Sequence, residues 1–266
     1  MKTSLGEETQ DRQPPVTLPI DRVGVEGLKV PIALRRNGSR REEVGTIDVK
    51  IKLDGRHRGV HMSRLVQAVN DATASDTFSS FEELGRRILR LLNNSHPSIA
   101  GEVQIANTLV MKRKTPVTGK ASLESYDIST KVIRSGNSFR KLLTVKVIGN
   151  TLCPHSLEYS NGKAHAQRAE VQLGVLTDFY AKISHEDMIT VCEQALSSPT
   201  YSLLKTEDEI FLVEKMYSNP KFVEDVARDC YRLLKMRGID GEAHIRVSSY
   251  ESIHKHIAVS EIIKEL

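Results

Sequence analysis

Tryptophan is missing from this chain and aromatic residues make up only 5% of it, so the stacking platforms that single-stranded nucleic acids require are poorly supplied. Charge of one sign is also scarce. Lys and Arg number 38 against 34 Asp and Glu, a balance of +4, which is weak for a nucleic-acid binder and suits anionic small molecules at least as well. No uncharged apolar run approaches the roughly 18–20 residues that span a bilayer, and residues 1–19 lack the apolar centre of a signal peptide, so a cytoplasmic protein without a membrane partner is expected. The three cysteines, at 153, 192 and 230, are odd in number and far apart, which excludes a disulfide framework and fits a reducing compartment. Walker loops, dinucleotide fingerprints, HExxH and GxSxG are all absent, which removes several common enzyme classes.

What is present is an ordinary globular composition, 39% hydrophobic and 27% charged, in 266 residues, enough for two modest domains. Residues 1–17, with paired prolines and no apolar period, read as a flexible tail. Thr46–Leu53 alternates strictly, placing Ile47, Val49, Ile51 and Leu53 on one face of a strand. Two helical stripes follow: Met62, Leu65, Val66 and Val69, then Phe81, Leu84, Ile88, Leu91 and Leu92 behind a Ser80-to-Glu83 capping box. Residues 102–111 and 121–134 alternate and can pair across a turn at Pro116–Gly119. The order then recurs. Leu143, Val145 and Val147 alternate, as do Val171, Leu173 and Val175. Helical stripes come next at Met188, Val191, Cys192, Ala195 and Leu196, and at Phe222, Val226, Cys230, Leu233 and Leu234, the second started by Asn219-Pro220. Ala243, Ile245 and Val247 make another strand, with 252–259 returning beside it. Both halves read strand, strand, helices, strand, strand, an α+β pattern with helices on one face of an antiparallel sheet. The boundary is expected near RSGNS at 134–138, giving modules of 18–137 and 138–266.

Cys192 and Cys230 sit on apolar stripes and read as small core residues. Cys153 differs, because in TLCPHS it precedes a proline that fixes the backbone into a rigid bend, with His155 two residues on and expected on the same face. His165 shares parity with Val171, Leu173 and Val175, so it points to the buried side of its strand, where it and Cys153 form either a metal pair or a core histidine beside an idle thiol. Glu209 lies in TEDEIF, where Thr206 and Glu209 match a capping box. Glu224 stands four residues before Arg228 and admits a surface ion pair. His254 and His256 of ESIHKH share a face, and His61 of GVHMSR stands at a strand-to-helix junction. Basic clusters at Lys112, Arg113 and Lys114, and at Arg134, Arg140 and Lys141, are able to receive phosphates.

Taken together, LPIDRVGV, GVHMSR, KRKTPVTG, TLCPHS, HAQR, NPKFVEDVARD and ESIHKH, in that order from residue 18 onward, resemble the type IB GTP cyclohydrolase I enzymes. The resemblance implies two tandem tunnelling-fold modules, each a four-stranded antiparallel sheet with helices between its second and third strands. It implies conversion of GTP and water to 7,8-dihydroneopterin triphosphate and formate, the first step toward tetrahydrofolate and related pterins. Residue by residue, it implies Cys153, His165, Glu209 and His254 as ligands of a divalent Zn, Mn or Fe ion, Cys153 and His61 as catalytic groups, and Glu224 as the guanine anchor. Arg64 of GVHMSR and Lys114 of KRKTPVTG are the residues it suggests for the triphosphate. His155 stands where many members carry a second cysteine. A homotetramer with sites between subunits is the implied assembly. Two other readings stay open at this point: an archaeal-type product, dihydroneopterin 2′,3′-cyclic phosphate, and a non-catalytic nucleotide- or RNA-binding module in which Cys153 and His165 are structural.

Overall fold

A computed structural model describes residues 8–36, 38–75, 77–95 and 100–266; most of the expected tail, residues 1–7, lies outside the described residues. The chain divides into two compact units, one made of residues 1–107 and 129–142, the other of residues 108–128 and 143–266. The fold is the expected α+β class, with antiparallel strands and helices in the anticipated order.

In the first unit, β1 (Ile20–Arg36) pairs with β2 (Ser39–Leu53), and β2 pairs with β3 (Ala100–Lys114). The helices α1 (Met62–Ser75) and α2 (Phe81–Ser95) lie between β2 and β3 in the chain. Period-2 alternation buries Ile47, Val49 and Ile51, as read from the sequence. The α1 stripe keeps Leu65 and Val69 but not its first residue, and Val66 is only half-buried. Met62 is 41% exposed, and Leu65, Ala68, Val69 and Ala72 form the buried line instead. At the start of α2, Ser80 Oγ accepts from Glu83 N at 3.3 Å, but Glu83 reaches back to Ser79 rather than closing a box on Ser80.

The turn-side parts of β3 and β4 (Ala121–Ser135), residues 108–128, belong to the second unit, as does β5 (Ser138–Leu152) from Leu143 on, followed by the short α3 (Pro154–Tyr159) and β6 (Ala166–Asp178). The helix α4 (His185–Ala195), the two-residue β7 (Ser198–Pro199), α5 (Thr206–Ser218) and α6 (Val223–Met236) follow, and β8 (Glu242–Tyr250) and β9 (Ile257–Glu265) complete the sheet. β6 and β8 are in register Val171 to Val247, Leu173 to Ile245 and Val175 to Ala243, so one face presents stacked apolar rows. Against them pack Met188, Ile189, Val191 and Cys192 of α4 and Val226, Cys230 and Leu234 of α6, all essentially without exposure. Each such aliphatic side chain stabilises by about 1.5–3 kcal/mol. Cys192 and Cys230 are core residues as expected, and burial, followed by the neighbouring Cys230, pushes the Cys192 thiol up. Gly149 is required where β7 meets β5, since an added Cβ would stand 2.4 Å from Leu196 Cδ1 and 2.9 Å from the Ser198 carbonyl. None of the described helices is long and apolar enough to cross a membrane.

Three local expectations are corrected. The α5 box closes on Asp208, not Glu209: Asp208 Oδ2 accepts from Lys205 N at 3.1 Å, and Glu209 stays exposed. Pro220 lies outside α6, whose first residue is Val223, because Lys221 forms a bridge with Leu152 that keeps the backbone extended there. The return strand begins at Ile257, and residues 251–256 form the bend between β8 and β9.

Asp208 also holds the β3–β4 turn. Its carboxylate accepts from Val117 N and Thr118 N at 2.9 Å each and from Thr118 Oγ1 at 2.6 Å. Burial pushes this carboxyl up, but the Thr118 and backbone donors outweigh it and hold it well below the usual carboxylate range. A depressed folded value means the stabilisation is present above the unfolded value near 3.9 and is lost as pH falls through the folded one. Asp208→Asn is therefore expected to lower Tm near neutrality far more than Glu207→Gln, and the deficit to shrink below about pH 4, read by thermal melts across pH. A constant deficit at all pH values would count against the clamp.

Candidate functional site

The antiparallel order places three chain segments at one end of the second unit's sheet: β5 ends at Leu152, β6 begins at Ala166, and β8 ends at Tyr250. Cys153, His165 and Glu251 are the residues just beyond those ends. The backbone ties them, with Cys153 N donating to His165 O at 3.1 Å and Lys221 N donating to Leu152 O at 3.0 Å, which seats the start of α6 beside the end of β5. Around this junction lies a cavity of about 680 Å³, within the range of small-molecule sites. Cys153, His155, His165, Glu224, Glu251, His254 and His256 all line it.

Pro154 opens α3 as its first residue, so Cys153 is the helix N-cap and its Sγ accepts from Ser156 N at 3.4 Å. His155 therefore does not follow Cys153 in extended backbone as expected. It sits on the helical turn with its ring 4.6 Å from that of Tyr159 and still reaches the cavity. His165 keeps the expected parity: Gln167, Ala169 and Val171 after it are buried, and its own side chain is 14% exposed. Its Nδ1 lies 2.8 Å from Gln167 Oε1 and 3.8 Å from Glu251 Oε2. His254 and His256 stack at 5.0 Å in the bend rather than on a strand.

The carboxylates divide differently from the sequence reading. Glu251, not singled out there, is nearly buried at 12% side-chain exposure and faces His165, whereas Glu209 is exposed on α5 and does not line the cavity. The signal for Glu251 was its place as the first residue of ESIHKH, three residues before His254 and five before His256. Glu224 lines the cavity from the first turn of α6, and Arg228 bonds to Asp225 at 3.2 Å instead of to Glu224. Asp225 also accepts from Phe222 N at 3.1 Å, so Asp225, not Glu224, performs both the capping and the pairing in this turn. Among the cavity's residues Lys221 is the one Lys or Arg, and its ammonium is committed to Asp229 at 2.7 Å and to the Ala195 carbonyl at 2.8 Å. Burial pushes the Asp229 carboxyl up, and Lys221 and Arg232 more than reverse that.

Lys114, exposed at the end of β3, is not brought to the cavity. Arg113 of the same cluster is spent on Glu193 at 2.8 Å, and in the first unit Lys141 pairs with Glu82 at 3.3 Å while Arg134 Nε donates to Gly136 O. His61 and Arg64 belong to the first unit and do not line this cavity. His61 is buried, with Nδ1 2.7 Å from Glu8 and Nε2 3.0 Å from Asp11. Among the described residues this is the one set of three His, Cys, Asp or Glu residues whose ligand atoms all lie within 4.8 Å of one another. Both imidazole nitrogens are already engaged by the two carboxylates there.

Residues 7–260 match the family model described as type I GTP cyclohydrolase folE2. The chain is 43% identical over 262 residues to "GTP cyclohydrolase MptA" of Pyrococcus abyssi, covering 96% of this chain and 98% of the relative. It is 33% identical to "GTP cyclohydrolase FolE2" of Maridesulfovibrio salexigens, covering 97% and 99%. Among solved structures, a uricase from Arthrobacter globiformis superposes with a TM-score of 0.56 at 9% identity, covering 92% of this chain and 93% of that one, a likeness of tunnelling fold alone.

Proposed function

Because the chain belongs to the type I GTP cyclohydrolase folE2 family, we propose that the second unit's cavity binds GTP, opens the five-membered ring of its guanine and releases formate, giving 7,8-dihydroneopterin triphosphate. The observation that carries this reading is that a thiol, an imidazole and two carboxylates, those of Cys153, His165, Glu251 and Glu224, line one cavity.

That donor set fits a divalent ion. Thiolate, imidazole and carboxylate suit Zn²⁺ and tolerate Mn²⁺ or Fe²⁺. Cys153 and His165 would hold it, with His254 as a further donor on the same cavity and Glu251 beside the Nδ1 edge of the His165 ring. When bound, such an ion supplies a Lewis acid and lowers the pKa of a water to about 7. The chain's own residues do the rest. Glu224 accepts from the guanine N1–H and 2-amino groups, a pairing that adenine cannot make. His155, His254 and His256 carry protons to and from the opening and reclosing rings, work for which imidazoles are suited near neutral pH. A homotetramer completes the proposed assembly, checked by light scattering coupled to size exclusion.

A second product is favoured by one observation. Relatives named MptA from Pyrococcus and Thermococcus are 41–43% identical to this chain, and those named FolE2 quoted from several bacteria are 31–35% identical. Archaeal members of the resembled family make dihydroneopterin 2′,3′-cyclic phosphate. Incubating chelator-treated protein with GTP and Zn²⁺, Mn²⁺ or Fe²⁺ tests both: formate is expected with at least one metal and not without, and mass spectrometry of the pterin separates the triphosphate from the cyclic phosphate. No formate with any of the three metals would overturn the proposed reaction.

A further inference from the structure

Behind His165 lies a chain of buried polar groups that the proposed reaction does not by itself require. Gln167, two residues along β6 on the same inward face, is 9% exposed, and its amide is fully employed. Its Oε1 lies 2.8 Å from His165 Nδ1, and its Nε2 lies 3.2 Å from Thr151 Oγ1 and 3.4 Å from Glu251 Oε1. Thr151 Oγ1 is in turn 3.0 Å from Ser249 Oγ, and both residues are buried.

The direction of these bonds follows from chemistry rather than from atom labels. Both oxygens of a carboxylate act as acceptors toward an amide, so the group of Gln167 that faces Glu251 is the NH₂. Turning the amide over would set its carbonyl oxygen against the Glu251 oxygen and leave a buried donor facing the histidine. With NH₂ toward Glu251 and Thr151, the carbonyl faces His165 Nδ1, and that nitrogen must carry the proton. The remaining lone pair of a neutral imidazole is then on Nε2.

We propose that Gln167 is a positioning residue that locks His165 as its Nδ1–H tautomer, with Glu251 and Thr151 fixing the amide's orientation, so that His165 presents Nε2 as its ligating nitrogen. The inference rests on the reading of His165 as a metal ligand for its purpose, but the tautomer itself is a property of the metal-free chain. A histidine that holds a metal characteristically donates its other N–H to such a partner, and losing that partner costs about 10–100-fold in metal affinity.

The test uses the full-length protein, histidine-selectively ¹⁵N-labelled, stripped of metal, at a pH where the ring is neutral. Two-bond ¹H–¹⁵N correlations are expected to show wild-type His165 protonated on Nδ1. An Nε2–H tautomer in the wild type overturns the proposal with no variant needed. Gln167→Met, which keeps the length and removes the acceptor, is expected to give mixed tautomers and a 10–100-fold weaker Zn²⁺ affinity. The reciprocal exchange of Gln167→Glu with Glu251→Gln rebuilds an acceptor toward His165 and a donor behind it, and is expected to restore the Nδ1–H signal. Unchanged tautomer and Zn²⁺ affinity within twofold in Gln167→Met would also overturn the proposal. His165→Asn separates the two levels: Zn²⁺ affinity equal to wild type would defeat His165 as a ligand, while the metal-free spectra still judge Gln167.

Discussion

Replacing Cys153 with serine is expected to remove GTP turnover almost completely while leaving the protein folded. Cys153 has two separable roles, as the N-cap of α3 and as the thiol of the cavity. As a cap it is a poor one, since sulfur accepts weakly and stands 3.4 Å from Ser156 N. A serine hydroxyl is among the preferred caps, so Cys153→Ser should keep or slightly raise Tm, whereas Cys153→Ala loses at most about 1 kcal/mol. As a metal donor the thiolate has no substitute in an uncharged hydroxyl, and losing a direct ligand should cost more than the 10–100-fold attached to losing a ligand's hydrogen-bond partner. Formate release from GTP should fall by more than about 100-fold, with bound Zn²⁺ falling in parallel and circular dichroism unchanged. Cys192→Ala is the contrast. Its side chain is wholly buried between α4 and its neighbours, so Tm should drop while formate release per folded protein stays near wild type. Turnover by Cys153→Ser within a few-fold of wild type would remove Cys153 from the chemistry.

Much of this molecule could be read before any coordinates, and what escaped has physical reasons. Period-2 alternation found the buried rows of β2, β6 and β8 because a sheet covered on one face forces apolar residues to every second position. Parity also placed His165 on the inward side, since register carries the pattern past the apolar residues to the polar ones that continue it. Helix beginnings were less legible. Thr206 and Pro220 carry the composition of a start, but Asp208 is drawn to the β3–β4 turn, and Lys221 is held extended by Leu152. Both competitors are remote in sequence and leave no local mark. For the same reason Glu251 escaped notice while Glu209 did not: a carboxylate's place depends on which strand end it follows, and that is fixed by pairing of β8 with β6, not by neighbours in the chain. Within the basic clusters, Arg113 and Lys141 meet carboxylates far away in sequence, which composition does not reveal, while Arg134 bonds to the Gly136 carbonyl two residues on.

Glu224→Gln is the second substitution with a large expected effect, and it separates a substrate anchor from an ordinary helix-surface carboxylate. The surface reading assigned Glu224 to Arg228, a pair worth only about 0.3–0.5 kcal/mol in such positions. The geometry gives that partner to Asp225, leaving Glu224 exposed toward the cavity without a partner among the described residues. Its favourable placement in the first turn of α6 is worth about 0.3–1 kcal/mol of stability, so the variant should melt within a few degrees of wild type. Binding is another matter. A carboxylate receiving two hydrogen bonds from a guanine contributes about 1.5–3 kcal/mol for each, and glutamine presents one acceptor and one misplaced donor in the same space. Since about 1.4 kcal/mol is a factor of ten, kcat/KM for GTP should fall at least tenfold and by as much as about 100-fold. Bound metal should not change, because Cys153 and His165 approach from the ends of β5 and β6 and Glu224 from α6. Steady-state kinetics, metal content and Tm measured on one preparation decide between the roles: kinetics within twofold of wild type would refute the anchor, and a loss of metal with the loss of rate would move Glu224 into the coordination sphere.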